Sequence, residues 1–369
     1  MLRVKFLLLI AITLLAGLSC LPATGFARDT HSPMKRVGTI HVPGQSLKSF
    51  DIGFVNDNGV YALADRSNGS LDFFSAASDR FIGRVTGFRQ FNATGGSDDS
   101  GPNGVVAVGR YEFWAGDGDS TVKMVDLRTR RVIASVSTGG KRRADELAYD
   151  ARDHLLVAVN NADDPPFVTF ISTRTRKIVG KLELPHATNG AEQPVWNPVS
   201  GLVYLSIPVL DHVKANGAVA VIDPKSHRVL RLLPVQRCMP AGLTLGPKGD
   251  LLVACSDDAI DAGFPARSFV LDGISGKVVA QVRVGGSDEA WSDPKSGRYF
   301  LAASAMPGGP VLGVVDLRAN RLIATLPTGP HAHSVAADPQ TGKAFVPIAA
   351  DGTSPDCANG CIAVFGTGK

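Results

Sequence analysis

Several chemical signatures are missing from this chain. It has no Gly-x-Ser-x-Gly elbow and no phosphate-cradling glycine loop, so the common serine-hydrolase and nucleotide-binding chemistries have no local foothold. It also lacks Cys-x-x-Cys-His, which removes covalently attached c-type haem. Charge of one sign is lacking too, since the formal net charge is +4 over 369 residues. Basic residues are spread out, and the short run Lys141-Arg142-Arg143 has no interleaved aromatics, so it reads as a solvated turn. Neither nucleic acid nor an anionic membrane is implied as a partner. After the first residues, no stretch of about twelve shows helical periodicity.

Those first residues carry Arg3 and Lys5, an apolar run over 6–18, and small residues up to Gly25-Phe26-Ala27. The run is too short for a bilayer span and the ending suits a signal peptidase, which predicts a signal peptide over 1–27 and a periplasmic or secreted protein. Gly17-Leu18-Ser19 lacks the aliphatic residue that a lipid anchor on Cys20 would need. Removing the leader takes Arg3 and Lys5 with it and lowers the net charge of +4 by two. The four cysteines that remain, in an oxidising compartment, favour disulfides over metal or catalytic thiols. Cys357 and Cys361 bracket a turn, and Cys238 and Cys255 come together if their segments form adjacent antiparallel strands.

What the sequence does contain is repetition. A β-rich run ends in Asp or a small polar residue, turns, and resumes at a basic residue followed by a second β-rich run. Copies occur at Val122-Lys123-Met124-Val125-Asp126 with Arg131, at Val219-Ala220-Val221-Ile222-Asp223 with Arg228, and at Gly313-Val314-Val315-Asp316 with Arg321. Arg80, Lys177 and Lys277 mark three more, and successive basic residues lie roughly 44 to 51 positions apart, the size of one four-stranded blade. A second phrase, an apolar strand followed by a turn such as Asp293-Pro294-Lys295-Ser296-Gly297, supplies the inner hairpin of each copy. The predicted fold is therefore all-β, a seven-bladed β-propeller with four-stranded blades over 28–369. The last copy has three strands, over 333–337, 344–348 and 362–365, while 36–42 is an orphan strand near the start. Pairing the two closes the ring and removes a free sheet edge, which predicts a monomer.

Phrases such as Val157-Ala158-Val159-Asn160 and Val219-Ala220-Val221-Ile222-Asp223, with Asp-Pro-x-x-Gly turns, resemble the YVTN-type β-propeller repeat family of exported bacterial proteins over essentially the whole mature chain. That resemblance implies the fold and a binding or scaffold role, with lactonases and redox proteins among related propellers. Fold alone does not assign function.

Aligning the copies on the turn that ends the inner strand places Asp51, Asn103, Asp145, Glu192, Ala241, Asp288 and His333 at one equivalent position, five residues ahead of it. Equivalent positions gather round one mouth of the central channel. Four carboxylates there repel one another unless a cation, raised pKa values or neighbouring bases relieve them. Asp51, Asp145, Glu192, Asp288 and His333 are accordingly the candidate ligands of a divalent metal such as calcium. Glu289 and His331 join them as candidate ligand-binding residues, and Glu146 and Gln193 occupy the position of Glu289 in their own blades. His331 and His333, two apart, are expected to share a side. The competing bland reading is a polar, water-lined channel.

Two further features point at the same face. Asp117-Gly118-Asp119 and Asp257-Asp258 sit in turns there and read as hairpin turns more readily than as calcium loops, and the polar segment 88–104 overhangs it. Three functions follow in order: a binding or scaffold propeller for a protein or small ligand, a metal-dependent hydrolase such as a lactonase, and a redox accessory protein. No motif decides whether the chain is an enzyme.

Overall fold

The computed structural model describes residues 33–92, 94, 96–352 and 354–368. The expected signal peptide over 1–27, and Cys20 with it, lies outside the described residues. The described chain forms seven four-stranded antiparallel sheets, and in six of them the strand order follows the chain. Blade three is representative, with Leu147–Asp150 innermost, then Leu155–Asn160, Phe167–Ser172 and Lys177–Glu183. Blade seven consists of Ala336–Asp338, Lys343–Ile348 and Cys361–Gly366, and its fourth strand is Lys35–His41. Lys35 pairs with Gly366 and His41 with Cys361, so the two ends of the described chain close the ring. Among the described residues no helix is long and apolar enough to cross a membrane.

Short-range chemistry explains why the same hairpins recur. At the end of the inner strand an Asp or Asn side chain accepts from the amides two and three residues on: Asp150 from Arg152 and Asp153, Asn197 from Val199 and Ser200, Asp293 from Lys295 and Ser296. The outer hairpin uses the same device, Asp126 serving Arg128 and Thr129, and Asp316 serving Arg318 and Ala319. These Asx turns give the backbone a local partner, which is why Asp closes most repeats of the sequence, with Ser75 and Ser172 serving the same turn in blades one and three. The residue before the basic one, such as Arg130 (φ 54°) or Asn320 (φ 51°), then takes a left-handed turn, and a bulge follows in the outer strand pair.

Burial follows from the blade's place in the ring. Leu155–Asn160 is buried at every position because neighbouring blades cover both of its faces, whereas the outermost Arg131–Ser137 alternates between exposed and half-buried. The core is a series of clusters between adjacent blades. Phe73 of blade one meets Phe113 of blade two edge-on, their ring centroids 4.9 Å apart. Two disulfides, Cys238–Cys255 and Cys357–Cys361, form with the expected pairing.

Candidate functional site

A single backbone hydrogen bond, repeated from blade to blade, sets the level of the channel mouth. The amides of Asp51, Asn103, Asp145 and Glu192 donate to Ala64, Gly116, Val159 and Ser206 respectively, each on the neighbouring strand of its own blade. That rung fixes one side chain at the same height in blades one to four, whereas the His333 amide of blade seven donates to the carbonyl of His331.

The carboxylates do not stand alone there. Arg66 places its guanidinium 2.5 Å from Asp51 and donates also to the Asn103 side-chain oxygen, while Asn103 donates to the carbonyl of Ala144. Arg143 pairs with Asp145 at 2.8 Å. Neither arginine belongs to the set expected from the aligned blades. The run Lys141-Arg142-Arg143 is thus only partly the solvated turn expected of it: Lys141 and Arg142 are exposed, but the Arg143 side chain, 13 % exposed, folds into the mouth. The spacing Arg143-x-Asp145 was the available signal, since alternate residues of an extended segment share a side.

His333 is held from two directions. Its ring stacks on Phe50 at 4.8 Å with the planes 6° apart, and Nδ1 lies 2.7 Å from the carbonyl of His331. A proton on Nδ1 makes that contact a hydrogen bond and turns Nε2 toward Asp51, 3.5 Å from a carboxylate oxygen. Asp51, Asp288 and His333 each then offer one ligand atom, all within 4.8 Å of one another. His331 contributes its carbonyl rather than its imidazole. It is exposed and left-handed (φ 54°) in a turn before the strand, so strand alternation does not apply to it.

Electrostatics divide the carboxyls. Burial alone would raise Asp51, but Arg66, the His333 hydrogen bond and Arg143 outweigh it and hold its pKa down at about 2. Burial raises Asp145 to about 6 despite Arg143. Burial and like charges from Asp288 and Asp145 push Glu192 well above the usual carboxylate range, and burial with Asp51 and Asp257 raises Asp288. Burial lowers His333, but the Asp51 hydrogen bond and Asp288 outweigh it and raise the imidazole overall. Of the four carboxyls, Asp51 alone is held below the usual carboxylate range, and the other three are raised.

Glu289 sits one tier deeper. Its carboxylate accepts from Ser334 Oγ at 2.6 Å and from the Val335 amide at 3.0 Å. Gln193 shares that tier and accepts from the amides of Leu243 and Ala290. Blade five has Gly242 here because a Cβ would come within 2.8 Å of the Ala290 nitrogen.

The remaining acidic turns are structural. Asp117 is fully buried, accepts from the amides of Arg89 and Gly118, and pairs with Lys123. Asp257 and Asp258 open a five-residue helix, Asp257–Asp261, capped by Ser256, rather than a hairpin turn. The described part of the overhanging segment is pinned by an Arg142–Asp99 ion pair and by the Arg143 amide donating to Asp98. Beside the mouth lies a polar cavity of about 580 Å³, lined by Asp98, Asn161, Asp163, Glu192, His212 and Asp258.

Ring, channel and mouth place the chain in the class of seven-bladed β-propellers. Among solved structures it is similar to a chain of "Crystal Structure of Mitotic Checkpoint Complex", with a TM-score of 0.68 at 12 % identity, covering 96 % of this chain and 99 % of that one. It is similar also to a chain of Kuenenia stuttgartiensis hydrazine synthase, with a TM-score of 0.67 at 14 % identity, covering 88 % and 97 %. At these identities the likeness is one of fold. No protein-family model and no curated protein matches the sequence.

Proposed function

We propose that this chain is an exported, monomeric propeller of the YVTN type that binds a small polar ligand or a protein at its channel mouth through a divalent cation. The observation that carries this reading is the convergence of Asp51, Asp288 and His333, with Nε2 of the imidazole turned inward by the Nδ1 contact to His331. A histidine whose second ring nitrogen is held by a carbonyl is the usual arrangement of a metal-binding imidazole. The cation presents open coordination positions to a ligand, for which the adjoining polar cavity leaves room. Asp145 and Glu192 are not among the groups whose ligand atoms converge there. Export is supported by the two disulfides.

The test is elemental analysis of protein purified without chelator, followed by calorimetric titration of the stripped protein with calcium, manganese and zinc. One equivalent in the wild type, lost in Asp288→Asn and His333→Ala, supports the reading; no binding of any of the three overturns it. A second reading, metal-dependent hydrolysis, is favoured by Asp145 and Glu192. Carboxyls held with raised pKa values beside a cation suit general acid–base work. Chelator-sensitive lactone hydrolysis that disappears in Glu192→Gln would promote it.

A further inference from the structure

Below the mouth the channel is not filled. A cavity of about 320 Å³ runs between the inner strands of six blades and is lined at its far end by Phe54, Tyr149, Trp196 and Trp291. These rings lie three or four residues beyond the mouth position, roughly 10 Å deeper at the rise of a strand. All four are half-buried, with Phe54 and Trp291 packed edge-on at 5.3 Å. Three polar side chains line the opposite end: Gln193, Glu289 and Glu146. Gln193 is engaged by blades five and six, and Glu289 by Ser334 and Val335. Glu146 is different. It is 5 % exposed, it lines the cavity, and its carboxyl has no hydrogen-bond or ion-pair partner among the described residues.

Its carboxyl therefore faces the cavity, where a bound group could supply the partner that the protein does not. We propose that the lower channel is a second binding site, distinct from the mouth, for an organic amine: a protonated ammonium group attached to an aromatic or alkyl body. The ammonium donates to a Glu146 carboxyl oxygen and the body lies against the aromatic rings, whose π faces attract a cation or its adjoining carbons. The lining favours a cation over a neutral alcohol or an anion, because it carries the carboxyls of Glu146 and Glu289 and no Lys, Arg or His side chain. The cavity is at the lower end of the size range of small-molecule sites, which fits a compact amine.

The probes are phenethylamine, its neutral analogue phenethyl alcohol and the anion phenylacetate, each titrated at pH 8 against tryptophan fluorescence and by calorimetry. Saturable binding of the amine, at least about tenfold tighter than the alcohol and with no binding of the anion, is expected. Glu146→Gln should weaken the amine by about tenfold while leaving the fold intact, since it removes an unpaired buried acid. Added chelator should leave amine binding unchanged, which separates this site from the mouth. The proposal is overturned if the amine does not saturate, if the alcohol binds as tightly, or if Glu146→Gln binds as the wild type does. The comparison of the three probes on the wild-type protein needs no variant to fold.

Discussion

The guanidinium of Arg66 lies 2.5 Å from Asp51 and 2.7 Å from the side-chain oxygen of Asn103, so one cation joins blade one to blade two at the rim of the channel. Both members of the ion pair are almost wholly out of water, with side-chain exposures of 7 % and 9 %. Removing Arg66 leaves a buried carboxylate without its partner. Arg66→Ala is expected to lose about 3–5 kcal/mol in urea denaturation, and adding Asp51→Asn should recover a large part of that loss. Simple additivity of the two substitutions would show that the pair is not coupled.

Stability should fall as pH rises, with metal removed. A raised carboxyl pKa means that the folded state holds a proton that the unfolded chain has released, so stability is full below the unfolded value and is lost through the folded one. Asp145, moved from 3.8 to about 6, accounts for about 3 kcal/mol of that loss, and Glu146, Glu192 and Glu289 act in the same sense. His333, raised from 6.5, also contributes stability that disappears as pH climbs through its folded value. Asp51 runs the other way and matters only as pH drops from 3.8 toward about 2. Thermal midpoints measured with chelator should therefore be highest on the acid side and decline toward pH 8, with a shallower decline in Glu192→Gln. A flat profile would contradict these shifts.

Ring closure can be broken at one residue. Ile40 is 4 % exposed, pairs with Ile362 and packs in the cluster that includes Val364 and Phe345. Ile40→Asp buries an unpaired charge in the seam, and a loss above about 3 kcal/mol together with concentration-dependent aggregation is expected by calorimetry and light scattering. Native-like stability would mean that the seam contributes little.

The two disulfides should differ in worth. Cys238–Cys255 closes a loop of 17 residues and Cys357–Cys361 one of 4. Chain entropy assigns about 3 kcal/mol to the first and about 2 kcal/mol to the second. Paired Cys→Ala variants compared by denaturant unfolding should preserve that order.

The ring was legible in the sequence because its information is local and repeated. Most turns are spelled with the same Asp or Asn, and the left-handed residue and the basic residue that follow the outer turn recur six times over. The level of the mouth was legible for the same reason, since Asp51, Asp145 and Glu192 occupy the same rung of their own blades. Arg66 and Arg143 were not, because they lie outside the aligned position and reach the mouth from other segments. The lower channel was hidden more completely. Phe54, Tyr149, Trp196 and Trp291 come from four inner strands, and each reads within its own strand as an ordinary core residue. His331 shows the limit of counting by twos, which fails wherever the backbone turns left-handed.

The pairing of Lys35 with Gly366 also orders events in time. Within the ring, Lys35–His41 is made before the strand it pairs with, and Lys35 has to wait for Gly366, 331 positions on. Blades one to six can be completed as they are made, but the seam cannot. A contact so distant carries a high loop-closure entropy and belongs late on the folding path. Until it forms, the nascent chain carries two unsatisfied sheet edges, one at each end, for a chaperone or a neighbouring copy to find.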